Sequence, residues 1–199
     1  MSENEQNVIK VVLLGETGTG KTNLINVYFG FKFSSTTASS LTPESYQKEL
    51  TIDKKQYIIN IWDTAGQEQY RSMTKIFIKG AKIIIFVYDI TMPNTFKELN
   101  YWVKNVEDLL GKGVIFGLVG NKIDLYDKQE VTQKQGEEYA TEIGALFCET
   151  SAKDDAKGFR EFVKQLVEEY LVQNGDIKKE GEGGNINLNA KPKKEKCSC

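Results

Sequence analysis

The sequence predicts an α/β fold: a mostly parallel six-stranded sheet with one antiparallel edge hairpin and helices on both faces. Three observations carry that expectation. Strand-like runs alternate with stretches of helical spacing from Val8 to Val172, the pattern of a sheet wound by crossover helices. Several runs, VIKVVLL and IIIFVY among them, are apolar almost without a break, as strands buried on both faces must be. One pair of runs is joined only by Asp53-Lys54-Lys55, a link so short and polar that it reads as a hairpin.

The first strand runs from Val8 to Leu14 and is stopped by Gly15. Leu24, Ile25, Val27 and Tyr28 then recur at helical spacing from Lys21 to about Phe29. The stretch from Ser34 to Thr42, rich in Ser and Thr, has neither period and reads as a long loop. Strands from Tyr46 to Ile52 and from Tyr57 to Trp62 make the hairpin. A loop and a helix from Gln69 to Lys79 lead to the strand from Ile83 to Tyr88. A helix from Pro93 to Leu110 follows, with proline where a first helical turn tolerates it. A strand from Val114 to Val119, a helix from Thr132 to Glu142, a strand from Ala145 to Cys148 and a helix from Ala156 to Val172 complete the domain. Beyond Gln173 the chain turns rich in Gly, Asn and Lys, with too few apolar residues for a packed face. The expected division is therefore a flexible stretch 1–7, one domain 8–173 and a disordered tail 174–199.

Composition narrows the chemistry. The 199 residues carry 26 Lys and Arg against 28 Asp and Glu, too even a balance for a nucleic-acid binder held by bulk charge. Histidine is absent, which removes Ser-His and Cys-His nucleophile pairs and His-ligated zinc. The longest apolar run falls far short of the ~20 residues that span a bilayer. The opening MSENEQN is polar and acidic, unlike a secretory signal, and Ser2 stands where myristoylation requires glycine, so synthesis in the cytosol is expected. Cys148, Cys197 and Cys199 make no disulfide framework.

Gly15-Glu16-Thr17-Gly18-Thr19-Gly20-Lys21-Thr22 matches G-x-x-x-x-G-K-[ST] between a buried strand and a helix. Glycines there let successive backbone N–H groups turn inward onto phosphate oxygens. The helix start adds positive potential, Lys21 reaches the β and γ phosphates, and the Thr22 hydroxyl can ligate Mg²⁺. Phosphate binding alone fits ATPases and nucleotide kinases equally well. Asn121-Lys122-Ile123-Asp124 decides the base, because the Asp124 carboxylate can accept from guanine N1–H and the 2-amino group together, whereas adenine offers no such donor pair. Ser151-Ala152-Lys153 forms a third loop at the same sheet edge, able to present a backbone N–H to guanine O6. In Asp63-Thr64-Ala65-Gly66-Gln67-Glu68, Asp63 can hold the metal, Gly66 can approach a γ-phosphate and Gln67 can orient the attacking water. Such transfer needs positioning and charge neutralisation more than a strong base, which suits a chain without histidine.

With GETGTGKT, WDTAGQE, NKID and ETSAK in this order, the chain resembles the small GTPases of the Ras superfamily over essentially Val8 to Val172. YRSMTKIFIKGA, FVYDIT, the Trp62 before DTAG and the closing Cys197-Ser198-Cys199 resemble the Rab family in particular. The resemblance implies a P-loop small GTPase fold binding GTP and GDP with Mg²⁺ on Thr22, Asp63 and a hydroxyl at Ser40, and Gln67 as the catalytic glutamine. It also implies Phe33 on the base edge and geranylgeranyl groups on Cys197 and Cys199, an anchor strengthened by the lysines from Lys191 to Lys196.

The implied protein is a slow, monomeric switch. It would work on the cytosolic face of intracellular membranes, cycle with the cytosol, and regulate vesicle trafficking without contacting nucleic acid. Its partners would be an exchange factor, a GTPase-activating protein, effectors, and escort and dissociation-inhibitor proteins for the lipidated form. Arg71 and Arg160 are the chain's arginines and neither stands where a built-in arginine finger would, so the activator is expected to supply one. One stretch departs from the family pattern. Where Rabs carry threonine followed by Ile-Gly-Val-Asp-Phe, counting from Lys21 reaches Ser40-Leu41-Thr42-Pro43-Glu44-Ser45, so Ser40 and Thr42 both offer the ligand hydroxyl. The family's aromatic falls on Ser45, with Tyr46 one residue late. Trp62 and Phe77 are left to form a surface cluster with Tyr46 or an incomplete one without it. The same departure keeps open a guanine-nucleotide-binding scaffold with little hydrolysis.

Overall fold

A computed structural model describes residues 7–35, 44–64, 74–110 and 113–177. The strands are β1 (Val8–Leu14), β2 (Glu44–Ile52), β3 (Lys55–Asp63), β4 (Ile83–Asp89), β5 (Ile115–Asn121) and β6 (Leu146–Thr150), in the order β2-β3-β1-β4-β5-β6. All neighbours are parallel except β2 and β3, the expected edge hairpin. The helices are α1 (Lys21–Tyr28), α2 (Thr74–Ile78), α3 (Pro93–Lys97), α4 (Leu99–Leu110), α5 (Gln133–Glu142) and α6 (Ala156–Gln173).

Strand alternation sorts the core into two layers, one on each face of the sheet. Val11, Leu13, Ile83, Ile85 and Val87 point to the face covered by α1 and α6, where Phe159, Phe162, Val163 and Leu166 of α6 meet them. Val12, Leu14, Ile84, Phe86 and Tyr88 point to the other face, against Leu99, Trp102, Val103 and Val106 of α4. Gly117 lets α6 lie close to the sheet, since a Cβ there would come within 2.8 Å of Leu166 Cδ1. Helix starts are fixed locally. Thr132 and Gln135 form a reciprocal capping box on α5, and Asp155 Oδ1 accepts from Gly158 N at 2.9 Å at the start of α6.

Three local features differ from the sequence expectation. The helix expected from Pro93 to Leu110 is divided at Glu98, whose carbonyl accepts from both Tyr101 N (3.1 Å) and Trp102 N (3.4 Å), a tightened turn between α3 and α4. A 3₁₀ helix at Ile123–Lys128 follows β5, where the sequence suggests only a loop. The folded chain also continues past Gln173: Asp176 N donates to Leu171 O at 2.9 Å, and Ile177 packs on the core. Among the described residues, no helix is long and apolar enough to cross a membrane.

The register aligns the site. Asp89, Asn121 and Thr150 face one another across β4, β5 and β6, so the loops after these strands open at one carboxyl edge, where parallel sheets of this kind bind ligands.

Candidate functional site

The loop between β1 and α1 is shaped by close approach. A Cβ on Gly15 would sit 2.1 Å from the Val87 carbonyl oxygen of β4, and one on Gly20 would sit 2.3 Å from Asn121 Nδ2. Gly20, at φ +93°, also caps α1 from the left-handed region that glycine enters without penalty. The loop thus runs directly into the first turn of α1, whose N–H groups have no acceptors within the helix. Lys21 is 5% exposed, and its ammonium donates to Gly15 O at 2.8 Å and Glu16 O at 2.9 Å. Burial lowers its pKa to about 8, with the charges of Asp63 and Glu16 pulling the other way. The buried Thr19 donates its hydroxyl to the Glu16 carbonyl at 2.9 Å. The Glu16 carboxylate in turn accepts from Trp102 Nε1 of α4 at 3.1 Å.

Thr22 Oγ1 donates to Asp63 Oδ2 at 2.8 Å, joining the first turn of α1 to the last residue of β3. Beside it Thr64 donates to Leu13 O at 2.6 Å and ties the loop after β3 to β1.

The residues expected to read guanine are held by one another. Asn121, 1% exposed, donates to Thr19 O at 2.8 Å and accepts from Ala152 N at 3.1 Å, so its amide latches the first loop to the third. Lys122 takes φ 74° and its ammonium lies 2.6 Å from Asp89 Oδ2. Asp124 Oδ1 accepts from Ser151 Oγ at 2.6 Å, and Oδ2 stands 3.8 Å from Lys153 Nζ. Ser151 Oγ accepts in turn from Lys153 N and Asp154 N, both at 3.1 Å. A carboxylate has about four lone-pair sites, so Asp124 retains acceptor capacity for a base.

Together these loops line a cleft of about 510 Å³ that includes Gly18, Gly20, Thr22, Phe33, Asn121, Lys122, Asp124, Ala152 and Lys153. Phe33, 37% exposed, forms part of its rim. A larger hollow of about 980 Å³ lies at the opposite sheet edge, between the β2–β3 turn and the end of α6, and includes none of the candidate site residues. Of the sequence-predicted residues, Ser40, Gly66, Gln67, Cys197 and Cys199 lie outside the described residues, as do Thr42 and Arg71.

Two contributors escape the motifs. Asp89 is 1% exposed, fixes Lys122 and accepts from Thr91 N and Oγ1 at 2.8 and 2.7 Å. Its signal was present, since an acid ending a fully apolar strand must be paired once buried. Asn23 exchanges hydrogen bonds with Ser34, at 3.0 Å from Nδ2 to the carbonyl and 3.3 Å from the amide to Oδ1, holding the chain beside Phe33. Nothing in the sequence marks it. The aromatic question resolves by strand parity. Trp62 pairs with Ser45 and meets Phe77 at 5.9 Å between ring centres, whereas Tyr46 pairs with Ile61 and lies against Phe29 at 5.5 Å on the other face. The cluster of Trp62 and Phe77 therefore forms without Tyr46.

Two comparisons bear on this site. The model of the Ras family matches residues 10–171. Ras-related protein Rab-8B of Homo sapiens is 31% identical over 191 residues, which cover 94% of this chain and 92% of that relative.

Proposed function

The chain belongs to the Ras family and is a GTPase, and from that premise we propose that it works as a slow, regulated switch on intracellular membranes. The observation that carries the reading is one cleft lined by Thr22, Asn121, Lys122, Asp124, Ala152 and Lys153, each held by a named hydrogen bond or ion pair. GTP is the substrate: Gly15 to Thr22 wrap its phosphates, Asp124 reads guanine, and Phe33 covers the base edge. Gln67 orients the attacking water, with Gly66 N–H and the Lys21 ammonium taking up charge on the γ-phosphate.

The Thr22 hydroxyl and the buried Asp63 carboxylate, 2.8 Å apart, are hard oxygen donors of the kind Mg²⁺ prefers, and Ser40 would complete the set. Bound there, Mg²⁺ would neutralise charge on the β and γ phosphate oxygens. The domain that begins at residue 8 carries this chemistry, and the tail beyond Ile177 carries geranylgeranyl groups on Cys197 and Cys199. The GTP form recruits effectors in vesicle trafficking, an exchange factor resets it, an activating protein supplies an arginine, and escort and dissociation-inhibitor proteins handle the monomeric, lipidated chain.

The test is to purify the full chain with Mg²⁺ and no added nucleotide, denature it, and identify what is released, beside Gln67→Leu. GDP from the parent and more GTP from the variant is the expected result. GTP from both would favour the scaffold reading that Ser40-Leu41-Thr42-Pro43 keeps open, and no guanine nucleotide from either would overturn the site assignment.

A further inference from the structure

A loop that binds through its backbone works only if that backbone is already in place, because ordering it on binding subtracts from affinity. Between Gly15 and Gly20 the chain is held at separate points, with Lys21 Nζ on Gly15 O and Asn121 Nδ2 on Thr19 O. Thr17 and Gly18 are exposed, and a Cβ built on Gly18 would meet nothing within 4 Å. Glu16 is the point where ties accumulate. Its carbonyl accepts from Lys21 Nζ and from Thr19 Oγ1, each at 2.9 Å, and its carboxylate accepts from Trp102 Nε1 at 3.1 Å across 86 residues of sequence. Trp102 cannot swing: it is 2% exposed and packed in the core layer with Leu99, Val103 and Val106 of α4.

The charge of Glu16 sharpens the point. A carboxylate in a phosphate cradle repels the ligand it serves, and its presence asks for a compensating use. Aimed at the indole, it is engaged with a rigid donor in the core, through the stronger class of hydrogen bond in which one partner is ionised. It also helps hold the buried Lys21 in its charged form.

We propose that Trp102 is a positioning residue for the phosphate cradle, acting through its hydrogen bond to the Glu16 carboxylate. This rests on the reading of Gly15 to Thr22 as the phosphate site. The core of α4 thereby sets the Glu16 peptide, the Glu16 peptide sets Lys21 and Thr19, and bound nucleotide is released slowly because the cradle does not loosen.

The test is release of a fluorescent GDP analogue from the full-length protein with Mg²⁺, chased with excess GDP, for the parent, Trp102→Phe, Glu16→Ala, Glu16→Gln and the double variant Glu16→Ala with Trp102→Phe. Each of Trp102→Phe and Glu16→Ala is expected to speed release about tenfold. The double variant should match either single within threefold, because all three remove one contact. Glu16→Gln keeps an acceptor oxygen and should return release to within threefold of the parent. A change below twofold in Glu16→Ala, a double variant equal to the product of the singles, or a Glu16→Gln as fast as Glu16→Ala would each overturn the proposal. Glu16→Ala leaves the core intact, so the test stands even if Trp102→Phe fails to fold. Lys21→Ala separates the two readings: a parent that fails to bind the analogue, or a Lys21→Ala that binds it as tightly, defeats the phosphate site itself. Tight parental binding with unaltered release in the variants defeats only the role of Trp102.

Discussion

Lys21 is the residue at which burial and function pull hardest against each other. Desolvation lowers its pKa to about 8, while a polyphosphate drawn to its ammonium pushes the pKa back up, so binding takes up a proton wherever the unliganded lysine has lost one. The sign follows: between the lowered pKa of about 8 and the ordinary value of 10.5, affinity for GDP falls as pH rises, approaching tenfold per pH unit, and levels off below pH 8. Titration calorimetry at pH 9 in buffers of different ionisation enthalpy should show uptake of up to one proton per GDP, shrinking toward zero by pH 7. No uptake at pH 9 would mean that Lys21 stays charged or does not meet the phosphates. For folding the same shift runs the other way. The unfolded chain binds more protons over this window, so the Lys21 contribution to stability rises with pH between about 8 and 10.5. Function at neutral pH is thus maintained at some expense in stability.

At the scale of elements, the β2–β3 hairpin turns through Asp53 and Lys54 at φ 47° and 63°, the positive pair that a two-residue turn of type I′ requires. Lys54 is exposed and has a Cβ in a region that costs about 1 kcal/mol or more for a non-glycine residue. Lys54→Gly relieves that strain but adds freedom to the unfolded chain, for a net gain of about 0.5 kcal/mol. A urea midpoint that moves up at constant slope is the expected outcome, and a lower midpoint would show that the Lys54 side chain contributes more than the strain costs. The same elements show what sequence can carry. The bounds of β1 read correctly because its residues are nearly all buried, whereas β2 begins at Glu44, earlier than expected, because an edge strand exposing most of its side chains leaves only backbone pairing to mark its start. The division at Glu98 and the 3₁₀ helix after Lys122 are turns one residue tighter than an α-helix, below what periodicity resolves. At the candidate site, the residues that line the cleft sit in contiguous motifs that the sequence displays. The ties it does not display, since Asn121 to Thr19 spans 102 residues and Trp102 to Glu16 spans 86, and only the folded sheet brings them together.

Across the whole molecule, the sheet separates two ends. The cleft proposed for the nucleotide occupies the carboxyl edge, and α6 begins there beside Ser151–Lys153 and runs 18 residues, about 27 Å, toward the opposite edge. Asp176 and Ile177 are held at that far edge, the first by Lys55 Nζ at 3.3 Å to its carbonyl and the second against the core. The described chain thus ends at the edge away from the cleft, which sets the proposed lipid sites Cys197 and Cys199 apart in sequence and in place from the candidate nucleotide site. Tether and chemistry are then separable. Cys197→Ser with Cys199→Ser should abolish sedimentation of the protein with membranes after expression in a prenylating cell, because binding of that strength needs two chains, or one chain plus basic charge. GTP turnover in solution should remain within twofold of the parent, since no described contact links the far edge to Lys21, Asn121 or Asp124. Retained sedimentation would assign membrane binding to the lysines or to a protein partner. A changed turnover would mean that the tail acts on the cleft across those 27 Å, a span well within the reach of an extended chain running from 178 to 199 at roughly 3.3 Å per residue.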